Sequence, residues 1–495
     1  MKKILLFALV ASWSLMSNAQ ILISSHPKDT LRDKSAVLEV KSNNLGLLLP
    51  RMSSTQRRAI VNPAPGLVVF DTTKQMFYGF VKETGWRPFL MGYDTLPVLN
   101  GISPSVIDNE AGDQLGYSVA INGNIAVASA PSDNINGKVS QGALYVFRYD
   151  GENWTNIQKI VASDGAANDI FGGMVSMTKD FVFVAAPLAD IGENADQGAV
   201  YVYKIQGDSL SFFQKIIGSN ASAGDGFGLY VTGTGNQLFV GACNDDVGAN
   251  LDQGSAYYFS FEGSKWVEKQ KIIQDSAAAT EDHFGYGISI DSNFVSIGGH
   301  VNTSGNYGYG QNSVFIYEKV NGLWQRRQKL LQPDQPGATN KTDAFGYATY
   351  LKGDNLVIGA WLRDEPVGNK DRGVIYQFNR SGSSWTYTNK FYPGDPNPGD
   401  IYGDYFGQLI RADDKYLLSG SGYEDIASGN IDKGGVYIYE WVNNSWQQKR
   451  KIISPTPTQT DFFAHRFAIN NGNIIISASA ADGNKGKIYF YTVQQ

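Results

Sequence analysis

The sequence predicts an all-β chain: a seven-bladed β-propeller of four-stranded antiparallel blades, preceded by a small N-terminal module. Three observations carry this. One motif recurs seven times at a near-constant period, each period holds four short alternating runs with no helix, and turn and aromatic residues are abundant. Gly accounts for 55 of 495 residues, and Phe, Trp and Tyr together for 13%, a composition of turns and strands.

The motif is Asp-x-aromatic-Gly or a close variant. It occurs as Asp113-Gln-Leu-Gly116, Asp169-Ile-Phe-Gly172, Asp225-Gly-Phe-Gly228, Asp282-His-Phe-Gly285, Asp343-Ala-Phe-Gly346, Asp404-Tyr-Phe-Gly407 and Asp461-Phe-Phe-Ala464. The intervals are 56, 56, 57, 61, 61 and 57 residues, which marks a repeat architecture. An apolar run after each motif supplies a first strand. A second ends in a pair of small residues thirteen positions after the Gly or Ala, from Ser129-Ala130 to Ser477-Ala478. A third carries an aromatic triplet such as Tyr145-Val-Phe147 or Tyr201-Val-Tyr203, with a Gly three residues before it in every copy but the fourth, which has Asn312. A fourth opens on Trp154, Trp266, Trp324, Trp385 or Trp446, and on Leu210 in the second copy. Turns such as Asp150-Gly151 and Asn321-Gly322 join the third strand to the fourth.

Four antiparallel strands repeated radially make a propeller. The seventh copy ends four residues after Tyr491 and lacks a Trp-bearing strand. Upstream, Leu96-Pro-Val-Leu-Asn-Gly-Ile102 has the spacing of that strand, so an N-terminal strand is expected to complete the last blade and remove both sheet edges.

Residues 1–19, within MKKILLFALVASWSLMSNAQ, read as a secretory signal peptide: a basic start, an apolar stretch and small residues before the cut after Ala19. No other apolar run is long enough to cross a bilayer, so an exported protein, extracellular, surface-bound or periplasmic, without membrane insertion is expected. The one cysteine, Cys243, excludes an internal disulfide. A formal charge of −6 argues against nucleic acid as a partner.

The Phe-Gly motif, the small pairs that run on as Ala130-Pro131 and Ala186-Pro187, and the Gly-x-x-Tyr-x-Phe stretch together resemble the FG-GAP repeat of integrin α-chains and many secreted bacterial proteins. The resemblance covers residues 93–495 and implies a seven-bladed propeller that receives partners on its loop face. Residues 36–86, within a module spanning 20–92, resemble an N-terminal segment of exported Bacteroidetes surface proteins and tail-fibre-like proteins. Its runs Leu45–Leu49 and Leu67–Phe70 read as strands, with a short helix around Ser54–Ile60. The module is a spacer or an attachment unit through which the chain would oligomerise.

Integrin-type repeats carry a calcium loop between the first and second strands. Here that place holds only tight turns, such as Ile121-Asn-Gly-Asn124 and Asn470-Asn-Gly-Asn473, too short for six or more oxygen ligands. The Asp of each motif reads as a turn residue whose carboxylate accepts backbone N–H groups. The loops between second and third strands are longer and acidic. Asp190 with Asp196, Asp246 with Asp252, Asp364 with Asp371 and Asp425 with Asp432 offer paired carboxylates to Ca2+, although solvated turns account for the same residues. Tyr307, Tyr309, Trp361 and Tyr423 in or beside these loops are candidates to stack on sugars or anchor a protein.

Catalytic motifs are missing: there is no Gly-x-Ser-x-Gly, no His-Glu-x-x-His and no phosphate loop. The expectation is a non-catalytic binding or adhesion protein for an extracellular protein or glycan. A polysaccharide hydrolase or lyase on the same scaffold is the alternative from a different class, because blades bring distant carboxylates together. A structural module of a surface assembly is the third reading.

Overall fold

The computed structural model describes residues 21–24, 38–41, 47–73, 76–82, 85–88, 101, 103–106, 108–274, 282–299, 313–334, 343–364, 371–393, 405–421, 434–455 and 461–493. The chain divides into two compact units, Met1–Met91 and Gly92–Gln495.

In the first unit, Arg51–Met52 pairs in parallel with Val68–Asp71, which continues antiparallel into Met76–Val81 and Gly85–Pro88. A helical turn, Ser54–Arg58, is capped reciprocally by Ser53 and Gln56. Asp71 is fully buried beneath it, and its carboxylate accepts from Arg57 Nε at 2.8 Å, from Ser54 Oγ and from the Thr73 N–H. A buried charge persists only with such a set of partners. The expected helix and the strand near Val68 are present; of the expected strand Leu45–Leu49, residues 45 and 46 lie outside the described residues and 47–49 do not form a strand. Leu48 is 81% exposed: an apolar run becomes an inner strand only where the same chain covers it.

In the second unit each period folds as its own sheet. The first runs Val119–Asn122, Ile125–Ala130, Ala143–Tyr149 and Trp154–Ile160, each strand antiparallel to its predecessor. Five further four-stranded sheets follow over residues 174–216, 227–273, 286–331, 345–391 and 409–453, and a three-stranded sheet over 463–492. Tight turns join first to second strands, as at Asn471 and Gly472, where φ is +49° and +75°, the pattern of a type I′ hairpin. The segment 96–102 lies outside the described residues except for Gly101, where a Cβ would meet the Tyr491 ring of the seventh sheet at 2.5 Å.

Second strands such as Ile125–Ala130 and Phe181–Ala186 are buried along their whole length, because a sheet lies against each face. Every core layer mixes two consecutive sheets. Trp266 of the third sheet packs edge-on to Phe183 of the second at 5.1 Å, and Trp324 of the fourth does the same to Phe239 of the third at 5.4 Å. The repeated Trp is thus an inter-sheet residue. The seventh sheet meets the first in the same manner: Trp154 stacks on Phe490 at 4.3 Å, and the Gly123 N–H donates to Asn470 Oδ1 at 2.9 Å.

Each fourth strand carries a bulge shortly after its Trp, or after Leu210 in the second sheet, as where pairing shifts between Tyr258 and Phe259. Beyond the bulge, Gln158, Gln214, Gln270 and Gln328 each reach the next sheet. The Gln270 amide donates to the Trp324 carbonyl at 3.0 Å and accepts the Trp324 N–H at 2.8 Å. The clamp satisfies backbone groups that an edge strand would leave unpaired.

First strands from all seven sheets line one cavity of about 420 Å³, with Ala120, Ser176, Thr232, Ser289, Tyr350, Arg411 and Ala468 among the lining residues.

Candidate ligand-binding site

In the first three sheets the recurrent Asp builds the turn that leads into the first strand, whereas Asp282 accepts from Gln274 and Asp343 from Gln332 and Arg363. Asp113, Asp169 and Asp225 accept the backbone N–H of the residue three positions earlier at 2.6, 2.8 and 2.6 Å, the role the sequence assigns them. Burial, ahead of the charges of Asp245 and Asp246, pushes the Asp225 carboxyl up to about 6. The residue after each of the first six motifs lies at one end of the cavity. Tyr117, Gly173, Leu229, Tyr286, Tyr347 and Gln408 line a mouth of about 130 Å³ together with Tyr230, Arg411 and Arg466.

Aromatic rings form one side of this mouth. Tyr286 and Tyr347 join hydroxyls at 3.0 Å, and Tyr230 lies 5.9 Å from Tyr286. Trp361 sits edge-on to Tyr347 and to Tyr405 at 5.6 and 5.1 Å. It is half-buried, and its indole N–H is enclosed with no acceptor among the described residues. Trp361 therefore joins Tyr405 to the Tyr286–Tyr347 pair. Tyr307, Tyr309 and Tyr423 lie outside the described residues.

The two guanidinium groups come from the sixth and seventh sheets. Arg411 donates to the carbonyl of Ile410 at 2.9 Å and Arg466 to that of His465 at 2.8 Å. Neither has a carboxylate partner among the described residues. Burial, reinforced by Arg466, lowers the neighbouring His465 to about 3, so its ring is neutral. Its Nδ1 shares a hydrogen bond with Ser479 Oγ at 2.9 Å, and Tyr117 lies edge-on at 5.6 Å. Sequence reading passed over Arg411 and Arg466. Each occurs in a single copy, and a repeat motif reports only what recurs.

The acidic loops have a definite internal use. The Asp196 N–H donates to Asp190 Oδ1 at 3.0 Å, that of Asp252 to Asp246 Oδ1 at 2.9 Å, and that of Asp371 to Asp364 Oδ1 at 2.9 Å. The second Asp of each pair is left-handed, with φ of +52°, +49° and +52°. Its carbonyl accepts an N–H from the next repeat: Asp196 from Gly226, Asp252 from His283 and Asp371 from Tyr405. One carboxylate closes the loop and its partner's backbone docks the following turn. Asp425 and Asp432 lie outside the described residues. No three metal-ligating side chains converge among the described residues. Cys243 is buried, which pushes its thiol up.

The FG-GAP repeat family matches residues 106–147, 154–203 and 210–259. The first three sheets of the second unit thus carry FG-GAP repeats. A phage tail-like trimerisation region matches residues 27–103 and hints at an oligomer. No curated protein matches the chain. Among solved structures, the propeller is similar to the WD40 domain of Toxoplasma gondii coronin at 10% identity and a TM-score of 0.47, covering 81% of this chain and 86% of that one. It is also similar to a putative 6-phosphogluconolactonase from Bacteroides uniformis at 12% identity and a TM-score of 0.44, covering 78% and 94%. Neither likeness bears on activity. No helix among the described residues is long and apolar enough to cross a membrane.

Proposed function

We propose that this chain is an exported, non-catalytic binding protein that presents an integrin α-like propeller, closed as a ring of seven blades, on a trimeric base. The trimerisation match at residues 27–103 carries the reading. Leu47, Leu48 and Val61 within it are 60%, 81% and 84% exposed in the single chain, and burial between copies would remove that apolar surface from water. Closure of the ring is supported by the stacking of Trp154 on Phe490. It is also supported by the Gln114 and Leu115 N–H groups, which donate to the carbonyls of Asn484 and Lys485. The ligand is an extracellular protein or glycan taken on the face that carries the Phe-Gly turns and the acidic loops.

Light scattering on the full mature chain tests the assembly. The expected mass is three times that of the chain, falling to a monomer when Leu47 and Leu48 are both changed to Asp. A monomeric wild type would sink the trimeric base. Glycan and surface-protein arrays probed with the same protein test the binding role, which fails if no immobilised ligand retains it.

A further inference from the structure

The geometry points to a binding site for a ring-bearing carboxylate, of the size and chemistry of a hexuronate, at the mouth bounded by Arg411, Arg466 and the Tyr286–Tyr347 pair. This rests on the binding role proposed above and narrows its ligand class.

Arg411 and Arg466 stand on adjacent sheets and line the same cavity of about 130 Å³. Both are half-buried. Each is held by one N–H bond to the preceding carbonyl, which fixes the head group and leaves further donors of the guanidinium uncommitted. Other half-buried cations do meet a carboxylate, as Arg363 meets Asp343 at 3.0 Å and Lys271 meets Asp245 at 2.6 Å. Two partly desolvated positive charges without a carboxylate among the described residues are costly in the empty site, and an anion between them relieves that cost. His465 adds no competing charge, because burial keeps it neutral.

A planar guanidinium fork matches a carboxylate in a bidentate manner. The same mouth is lined by Tyr230, Tyr286 and Tyr347, and by Tyr117 beside His465, whose ring faces and edges suit the apolar face of a sugar. The cavity volume admits about one ring. Carboxylate and ring are thus recognised by different residues of one mouth.

Calorimetric titration of the full mature chain with sodium galacturonate, galactose and galactose 6-sulfate tests this. Galacturonate is expected to bind and galactose to give no measurable heat. Arg466→Gln and Arg411→Gln should each weaken galacturonate about ten- to hundred-fold. Arg466→Lys, which keeps the charge but loses the fork, should weaken it by a smaller factor. Equal binding of galactose and galacturonate overturns the proposal without need of any variant. Folded Arg variants that bind like the wild type overturn it as well, and tighter binding of the sulfate overturns the carboxylate assignment. A monomeric wild type in light scattering leaves this site standing, so the two readings fail separately.

Discussion

Gln214 and Trp266 are joined across two sheets by a pair of hydrogen bonds that mimic a strand pairing: the Gln214 amide donates to the Trp266 carbonyl at 2.9 Å and accepts its N–H at 2.8 Å. The same pairing links Gln158 to Leu210 and Gln328 to Trp385. One side chain therefore satisfies both backbone groups of a residue that opens an edge strand. Gln214→Ala should lower stability by about 1–3 kcal/mol, since it strands a donor and an acceptor together. Urea unfolding would read this as a lower midpoint at unchanged slope, and an unchanged midpoint would mean that water replaces the amide at no cost.

Glycines before the third strands set how closely sheets approach. Gly198 has φ of +88°, and a Cβ there would lie 2.3 Å from the Phe227 carbonyl oxygen; Gly486, at +83°, would place one 2.2 Å from that of Leu115. Gly207 also has positive φ, +60°, but nothing within 4 Å. Ala at Gly207 should cost about 1–2 kcal/mol from backbone strain alone. Ala at Gly198 or Gly486 should cost about 3 kcal/mol or more, because backbone atoms must also move. Thermal denaturation of the three variants separates the cases. If Gly486→Ala behaves like Gly207→Ala, the seventh sheet does not lean on Leu115 as the structure has it.

Asp225 gives the propeller a stability that falls with rising pH. Its folded carboxyl titrates near 6 because it is buried, whereas in the unfolded chain it titrates near ~3.9. Between those values the folded state holds a proton that the unfolded state has released. The contribution is complete below the unfolded value and is lost as pH rises through the folded one. Asp225→Asn removes the titration. Unfolding midpoints measured at several pH values between neutral and mildly acidic should show the wild type gaining on the variant as pH falls. Parallel profiles would contradict the raised carboxyl.

Asp190 discriminates loop closure from calcium binding. As a loop closer it needs only one acceptor oxygen for the Asp196 N–H, so Asp190→Asn should stay within about 0.5 kcal/mol of wild type. Asp190→Ala should lose about 1 kcal/mol. Thermal midpoints should not move between calcium and chelator. A calcium-dependent midpoint abolished by Asn as fully as by Ala would make the pair a metal site instead.

The sequence by itself determined the repeating parts: the period, the order of four strands within it, the Asp turns of the first three sheets and the Trp positions that open fourth strands. These are legible because strand alternation, tight turns and hydrogen-bond ladders are local, and seven copies average out chance. The run Leu45–Leu49 did not yield a strand over its described residues 47–49 because an apolar run does not state whether its own chain covers it. Trp361 was legible as an aromatic beside a loop, but not as a member of a cluster with Tyr347 and Tyr405. Only the tertiary structure decided which non-repeating side chains meet. Arg411 and Arg466 stand at different places in their own repeats, and Tyr286 and Tyr347 each follow a Phe-Gly in copies of their own. Residues so far apart in the chain share one mouth because the sheets are arranged around a common cavity, a radial proximity that no spacing along the chain encodes.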